Sequence, residues 1–224
     1  GDGMAKKIPK FSYTGAYETS SDNTYWYIKL KSSGQMTFTY RKNFDVGCVG
    51  GGGGTISNRN YAHVGGFAGG GGGYIKTGTA TANAGTAYTI TIGAGGAGKN
   101  DWRDDIYAGS GGTTSAFNTS AGGGAGGGGN GGRGAMTAVN GGDGENGAAN
   151  TGGGAGGAGG GWYEDPYKSQ PGAAGNGGSG IVILRGTQED NIPVIFNGTQ
   201  LDKIIYNGVT LTSLIYNGTK LYCR

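Results

Sequence analysis

Four stretches of this chain are almost pure glycine and alanine: Gly50–Gly54, Gly69–Gly73, Ala121–Gly129 and Gly152–Gly161. Glycine supplies 57 of the 224 residues, against a usual share of roughly 7 %. Glycine loses more backbone entropy on folding than any other residue, so such runs behave as flexible linkers unless something orders them. One regular structure suits them. The threefold extended helix rises about 3.1 Å per residue and makes no internal hydrogen bonds. Its N–H and C=O groups point outward, so adjacent helices without side chains can satisfy one another laterally. Glycine is required where such a helix is surrounded. Alanine or another residue is tolerated where it meets solvent or another layer. The run Gly152–Gly161 would then span roughly 30 Å. Collagen is excluded, because no strict Gly-X-Y repeat runs through the tracts and only four prolines are present. Linker and ordered lattice remain as alternatives, and the placement of the tracts favours the lattice. Val49 and Ile181 abut glycine with no serine-rich padding. A linker also has no reason to recur around aromatic islands.

The bulk properties narrow the function. Hydrophobic residues make up 34 % and tyrosine, at 14 copies, is the main large residue, so a core of Leu, Ile and Phe is thin. Charged residues are only 14 % and the net charge is +3, too little self-repulsion for a disordered chain. Lys6, Lys7 and Lys10 cluster, but no basic stripe runs through the sequence, so no nucleic-acid partner is expected. No apolar run approaches 18 residues, so no membrane insertion is expected, and no signal-peptide pattern is present. Cys48 and Cys223 make no disulfide framework. Cys48, in an apolar strand context, is expected to be a small buried hydrophobe.

Three regions are expected. Residues 1–10 form an N-terminal tail, with Gly1–Gly3 ahead of Met4 a cloning scar and Met4 the natural start. Residues 11–186 form a glycine-rich β domain. Tyr25–Leu30 is a strand rich in aromatic and branched residues, Ser32-Ser33-Gly34 a turn, and Gln35–Tyr40 the returning strand. Asp45–Val49, Gly73–Lys76, Ala87–Ile92 and 111–117 are further short strands, and Ile181–Arg185 is a continuous apolar strand of the fully buried kind. Residues 187–224 repeat every ten residues: Ile195-Phe196-Asn197-Gly198, Ile205-Tyr206-Asn207-Gly208, Ile215-Tyr216-Asn217-Gly218. Asn-Gly between β-formers is the strongest short hairpin signal, and kinks near Asp202-Lys203 and Thr212-Ser213 give two short strands per repeat. The fold class is mainly β and irregular with essentially no α-helix: short strands flank a layered polyglycine II sandwich, followed by a β-hairpin repeat module.

In order along the chain, Trp26-Tyr27-Ile28-Lys29, Thr37-Phe38-Thr39, Asp45-Val46, Val49 through Gly53, Tyr88 through Gly96, Gly112 through Phe117 and Gly177 through Arg185 resemble the glycine-rich domains of bacteriophage tail fibres, minor tail proteins and tail-tip adhesins. The resemblance covers about residues 11–186. It implies a virion tail protein, exposed extracellularly, that attaches to a host through a surface saccharide or protein. Some members pack polyglycine helices into a layered sandwich whose end loops touch the receptor. The C-terminal repeats resemble short repeats of phage and prophage tail proteins, implying contact with other tail proteins or self-association through 187–224.

Four islands carry the chemical variety: 55–64, 99–108, 135–150 and 162–171. On the resemblance they are the receptor loops, with Asn60, Tyr61, Trp102, Arg103, Asp104, Tyr107, Trp162, Tyr163 and Tyr167 as candidate contacts. Aromatic platforms beside carboxylates suit saccharide or protein surfaces. The alternative is that Trp102 and Trp162 merely cover a lattice that has no side chains of its own. No enzyme is expected: His63 is the only histidine, without a nucleophile pattern around it. No cofactor is expected, and Asp101, Asp104 and Asp105 lack the bidentate Glu of a calcium loop. A purely structural tail or filament component and an ice-binding protein are the competing functional readings.

Overall fold

The computed structural model describes residues 8–57, 69–100, 108–125, 142–160 and 172–188, and beyond these the backbone of short strands within 163–168 and 195–223. Among the described residues there is no helix. The strands in chain order are β1 (Phe11–Tyr13), β2 (Tyr17–Ser21), β3 (Tyr25–Leu30), β4 (Gly34–Phe38), β5 (Lys42–Val49), β6 (Ile56–Ser57) and β7 (Ile75–Ala82). They continue with β8 (Ala87–Thr91), β9 (Lys99–Asn100), β10 (Thr114–Ala116), β11 (Thr119–Ala121), β12 (Tyr163–Glu164), β13 (Tyr167–Lys168) and β14 (Ile181–Thr187). Near the C-terminus, Ile195–Phe196 pairs with Thr199–Gln200, Ile205–Tyr206 with Val209–Thr210, and Ser213–Tyr216 with Thr219–Cys223, each pair antiparallel.

Two antiparallel sheets of five strands form the body, in the orders β1-β4-β8-β10-β11 and β2-β3-β14-β5-β7. The alternation legible in the strands sets which faces meet. In β3, Trp26, Ile28 and Leu30 point inward; in β5, Phe44, Val46 and Cys48; in β4, Met36 and Phe38. These residues, with Ile90, Ala116, Ala121, Val182 and Leu184, form one core between the sheets. Aromatic rings compensate for the shortage of aliphatics. Phe44 reaches Trp26 at 6.1 Å, Phe38 at 5.3 Å and Phe117 at 4.9 Å between centroids, in the tilted and edge-on geometries that rings prefer.

Two sequence expectations are corrected here. Gln35–Tyr40 is not the returning partner of Tyr25–Leu30: β4 pairs with β1 and β8, while β3 pairs with β2 and β14. The link at 31–33 crosses from one sheet to the other, fixed by Ala16 N–H donating to Ser32 Oγ at 2.7 Å and Tyr13 O–H donating to Ser32 O at 2.5 Å. β3 and β4 each carry one apolar face, and those faces are buried by stacking against each other, not by lying side by side. Nor is Ile181–Arg185 buried on both sides. It sits centrally between β3 and β5, with Val182 and Leu184 inside while Ile183 is half-buried and Arg185 exposed.

β7 runs on to Ala82, well past the expected Lys76, and β11 was not anticipated. The β10–β11 hairpin turns at Phe117, whose φ is +53°. A bulky residue there is strained by about 1 kcal/mol or more, offset by ring contacts with Phe44 and with Tyr88, the latter at 4.9 Å.

Cys48 is a free thiol with no solvent exposure. Burial pushes its pKa up to about 11. The neutral thiol is therefore the native form, and its contribution to stability, full below the unfolded-state value, is lost as pH rises toward 11. Folded protein is expected to leave Cys48 unmodified by a thiolate-directed reagent at neutral pH, and denaturant to release the reaction. Fast labelling under native conditions, followed by mass mapping, would contradict this packing.

Candidate functional site

Strands of both sheets run directly into glycine tracts on one side of the body. β5 continues into 50–55, β8 into 93–98 and β11 into 122–125, while 69–74 leads into β7, 108–113 into β10 and 172–180 into β14. Tracts 142–148 and 152–160 complete the set.

Residues 50–55 donate to three different tracts in turn. Gly50 N–H bonds Tyr74 O at 3.0 Å, Gly51 bonds Gly112 O at 2.9 Å and Gly52 bonds Gly178 O at 2.9 Å. The partners then repeat: Gly53 to Gly71 O at 2.8 Å, Gly54 to Gly109 O at 2.9 Å, Thr55 to Gly175 O at 3.1 Å. Each acceptor has moved back by three residues, so the tract turns once every three residues and runs antiparallel to these neighbours. Its carbonyls accept from three further tracts, with Gly124 N–H on Gly51 O at 2.9 Å, Gly96 on Gly52 O at 2.7 Å and Ala155 on Gly53 O at 3.0 Å. Tract 50–55 is thus enclosed on all sides, and every residue in it is buried. Its backbone groups find their partners laterally, as a helix without internal bonds requires.

The outer tracts repeat the rule with a solvent face. In 93–98 burial cycles every three residues: Gly93 and Gly96 are buried, Gly95 and Gly98 half-buried, Ala94 and Ala97 exposed. Side chains stand only where the third face opens. In the same way Asp143 and Asn146 are exposed while Gly144 and Gly147 turn inward. Their side-chain oxygens accept the neighbouring tract's outward N–H groups, Ala173 on Asp143 Oδ1 at 2.6 Å and Asn176 on Asn146 Oδ1 at 2.7 Å. The second half of the expected island 135–150 is therefore a tract, with Gly144 N–H bonded to Ala173 O and Gly147 N–H to Asn176 O, both at 2.8 Å. Residues 172–180, which hold no long glycine run, form another.

The tract ends remote from the sheets gather together. β6 pairs with β9 in parallel, Ile56 opposite Lys99 and Ser57 opposite Asn100. Ser57 Oγ donates to Gly172 O, and Ala174 N–H donates to Asn100 Oδ1 at 2.7 Å. Gly159 N–H bonds Gly142 O at 2.8 Å and Gly172 N–H bonds Gly159 O at 3.0 Å. The residues that flank the sequence intervals 58–68, 101–107, 126–141 and 161–171 are thereby collected at one pole, apart from 125, where the shorter tract 122–125 stops nearer the sheets.

Asn60, Tyr61, Trp102, Arg103, Asp104, Tyr107 and Trp162 lie outside the described residues. Tyr163 and Tyr167 are placed by backbone alone, in the antiparallel pair β12–β13, where Tyr163 faces Lys168 and Glu164 faces Tyr167. Among the described residues no group of His, Cys, Asp or Glu is disposed to hold a metal ion, and no helix is long and apolar enough to cross a membrane. The sequence reading did not single out the outer face of the β2-β3-β14-β5-β7 sheet. There Arg185 donates to Asp45 Oδ2 from Nη2 at 2.6 Å and from Nε at 3.0 Å, and the carboxylate raises the guanidinium pKa further.

No curated protein and no solved structure matches the chain. A family model described as a glycine-rich domain matches residues 31–146, from the crossing between the sheets through the enclosed tract to 142–146. That match covers more than half of the chain, and the lattice is built largely from the matched residues: the protein belongs to the glycine-rich domain family.

Proposed function

We propose that this chain is a non-enzymatic adhesin of a bacteriophage tail, in which a polyglycine II lattice presents receptor-binding loops. The observation that carries the reading is the collection of tract ends at the pole remote from the sheets. A lattice cross-linked in this way cannot vary its own chemistry, because most inward positions admit no side chain. Variation is confined to the intervals between tracts, and a rigid scaffold that fans out such intervals is a sound design for a binding surface. Asn60, Tyr61, Trp102, Arg103, Asp104, Tyr107, Trp162, Tyr163 and Tyr167 fall within those intervals and supply the aromatic and charged groups of the proposed contact. The opposite pole, where β14 ends at Thr187, leads into the repeats of 187–224. These are assigned to other tail proteins or to self-association.

Binding of the purified chain to a panel of bacterial cells tests this. A susceptible host should be bound, and replacing 101–107 or 162–171 with Gly/Ser should weaken binding at least about tenfold without lowering the melting temperature. Undiminished binding by both variants would remove the loops from the contact. Failure to bind any host would favour the purely structural reading.

A further inference from the structure

At the pole opposite the gathered tract ends, an open groove of ≈ 600 Å³ lies against the strand ends of the β2-β3-β14-β5-β7 sheet. Its polar groups come from cross-strand neighbours. Asp45 stands opposite Arg185 on one side and Thr79 on the other, and Asn43 stands opposite Thr81. Residues directly opposite, or two apart along a strand, share a sheet face, so Asn43, Asp45 and Arg185 project together. Tyr25 lines the same groove, and the Arg185 guanidinium carbon lies 4.9 Å from its ring centroid.

These side chains are already oriented by bonds that leave part of their capacity unspent. Both Arg185 bonds go to a single Asp45 oxygen, Oδ2. Thr81 Oγ1 donates to Asn43 Oδ1 at 2.7 Å. By the donor and acceptor capacity of each group, Asp45 Oδ1 remains as an acceptor, and Arg185 Nη1 and Asn43 Nδ2 remain as donors. Asp45 and Arg185 neutralise each other, and Arg41 at the rim is engaged in an interaction of its own. The groove therefore offers directional hydrogen bonds beside an aromatic ring, with little net charge from its central pair. A polyhydroxylated ring matches that chemistry. Each hydroxyl both donates and accepts, and adjacent hydroxyls span an acceptor and a donor on neighbouring strands.

We propose that this groove is a second binding site, for a neutral hexopyranose unit of a surface saccharide. Asp45 Oδ1 accepts from the sugar, Arg185 Nη1 and Asn43 Nδ2 donate to it, and Tyr25, with the Arg185 guanidinium over one face of its ring, borders the site. The site is independent of the loops assigned to the receptor.

The test is an NMR titration of the full chain with glucose, galactose, mannose, rhamnose and N-acetylglucosamine, and with sulfate as an anion control. At least one sugar should shift the amides of 43–45, 79–81 and 185–187 saturably. Asn43→Ala and Asp45→Asn should each weaken that sugar about tenfold, with the melting temperature little changed because the groups are exposed. Gly/Ser replacement of 101–107 and 162–171 should leave the titration unaltered, which separates this site from the proposed receptor surface. The assignment is overturned if no sugar saturates at these amides, if sulfate alone does, or if the shifts persist undiminished in both groove variants.

Discussion

Gly52→Ala is expected to destabilise the protein by about 4 kcal/mol or more, although it adds one methyl group and alanine is the milder choice for backbone entropy. A Cβ on Gly52 would overlap the Gly153 carbonyl and come within 2.7 Å of Gly154 N. Both are main-chain atoms, so neither can rotate away. Gly52 N–H also bonds Gly178 O and its carbonyl accepts from Gly96 N–H, so shifting this tract disturbs its neighbours in turn. At about 2–4 °C per kcal/mol for a domain of this size, melting should fall by roughly 10 °C or more, or soluble expression should be lost. Gly72→Ala is the matched control. Its Cβ would meet nothing closer than the Gly152 carbonyl oxygen at 3.9 Å, and it should be neutral or slightly stabilising. Equal, small effects at the two positions would show that the tracts are loose, and the lattice would have to be abandoned.

Phe44→Ala tests the other half of the body. Phe44 is 5 % exposed and touches rings from three separate segments: Trp26 on β3, Phe38 on β4 and Phe117 at the β10–β11 turn. Those segments belong to both sheets. Truncation leaves a cavity at their junction and withdraws a ring that supports the positive-φ Phe117. Phe-to-Ala losses in cores run about 3–5 kcal/mol, and this site should lie in the upper part of that range. Phe44→Leu keeps most of the volume and should recover much of the loss. If denaturant unfolding showed less than about 1 kcal/mol for the alanine variant, the sheets would not be held together through this residue.

Much of this was legible in the chain itself. The aromatic and branched residues of Tyr25–Leu30, the alternation in Gln35–Tyr40 and the apolar run at Ile181 mark strands because side-chain shape, period and burial are local properties. Val49 and Ile181, each adjoining glycine, mark the points where strand becomes tract. Other features were not legible, for identifiable reasons. That β3 and β4 lie in different sheets depends on which apolar faces stack, and a short Ser-Ser-Gly link serves a hairpin or a crossing equally well. The β10–β11 turn carries Phe117 at +53° where turn chemistry would favour glycine or asparagine, so only its ring contacts explain it. Tracts 142–148 and 172–180 are not legible as tracts, because they contain Asp, Glu, Asn and Ser. A threefold helix needs glycine only on the faces that meet another helix.

Composition alone determined that the glycine tracts, if ordered, could be ordered only by backbone-to-backbone bonding, since they have no side chains to pack. It also determined that variable chemistry falls between the tracts. Which tract is enclosed was decided by tertiary structure. Gly50 through Thr55 are buried and bonded to tracts drawn from across the chain, while 93–98, with alanine at 94 and 97, keeps one face in solvent. The alanines of 93–98 fit an open face, but nothing within either run says which tracts lie against it. An extended helix without internal hydrogen bonds carries no record of its neighbours, and the number of neighbours decides where glycine is indispensable.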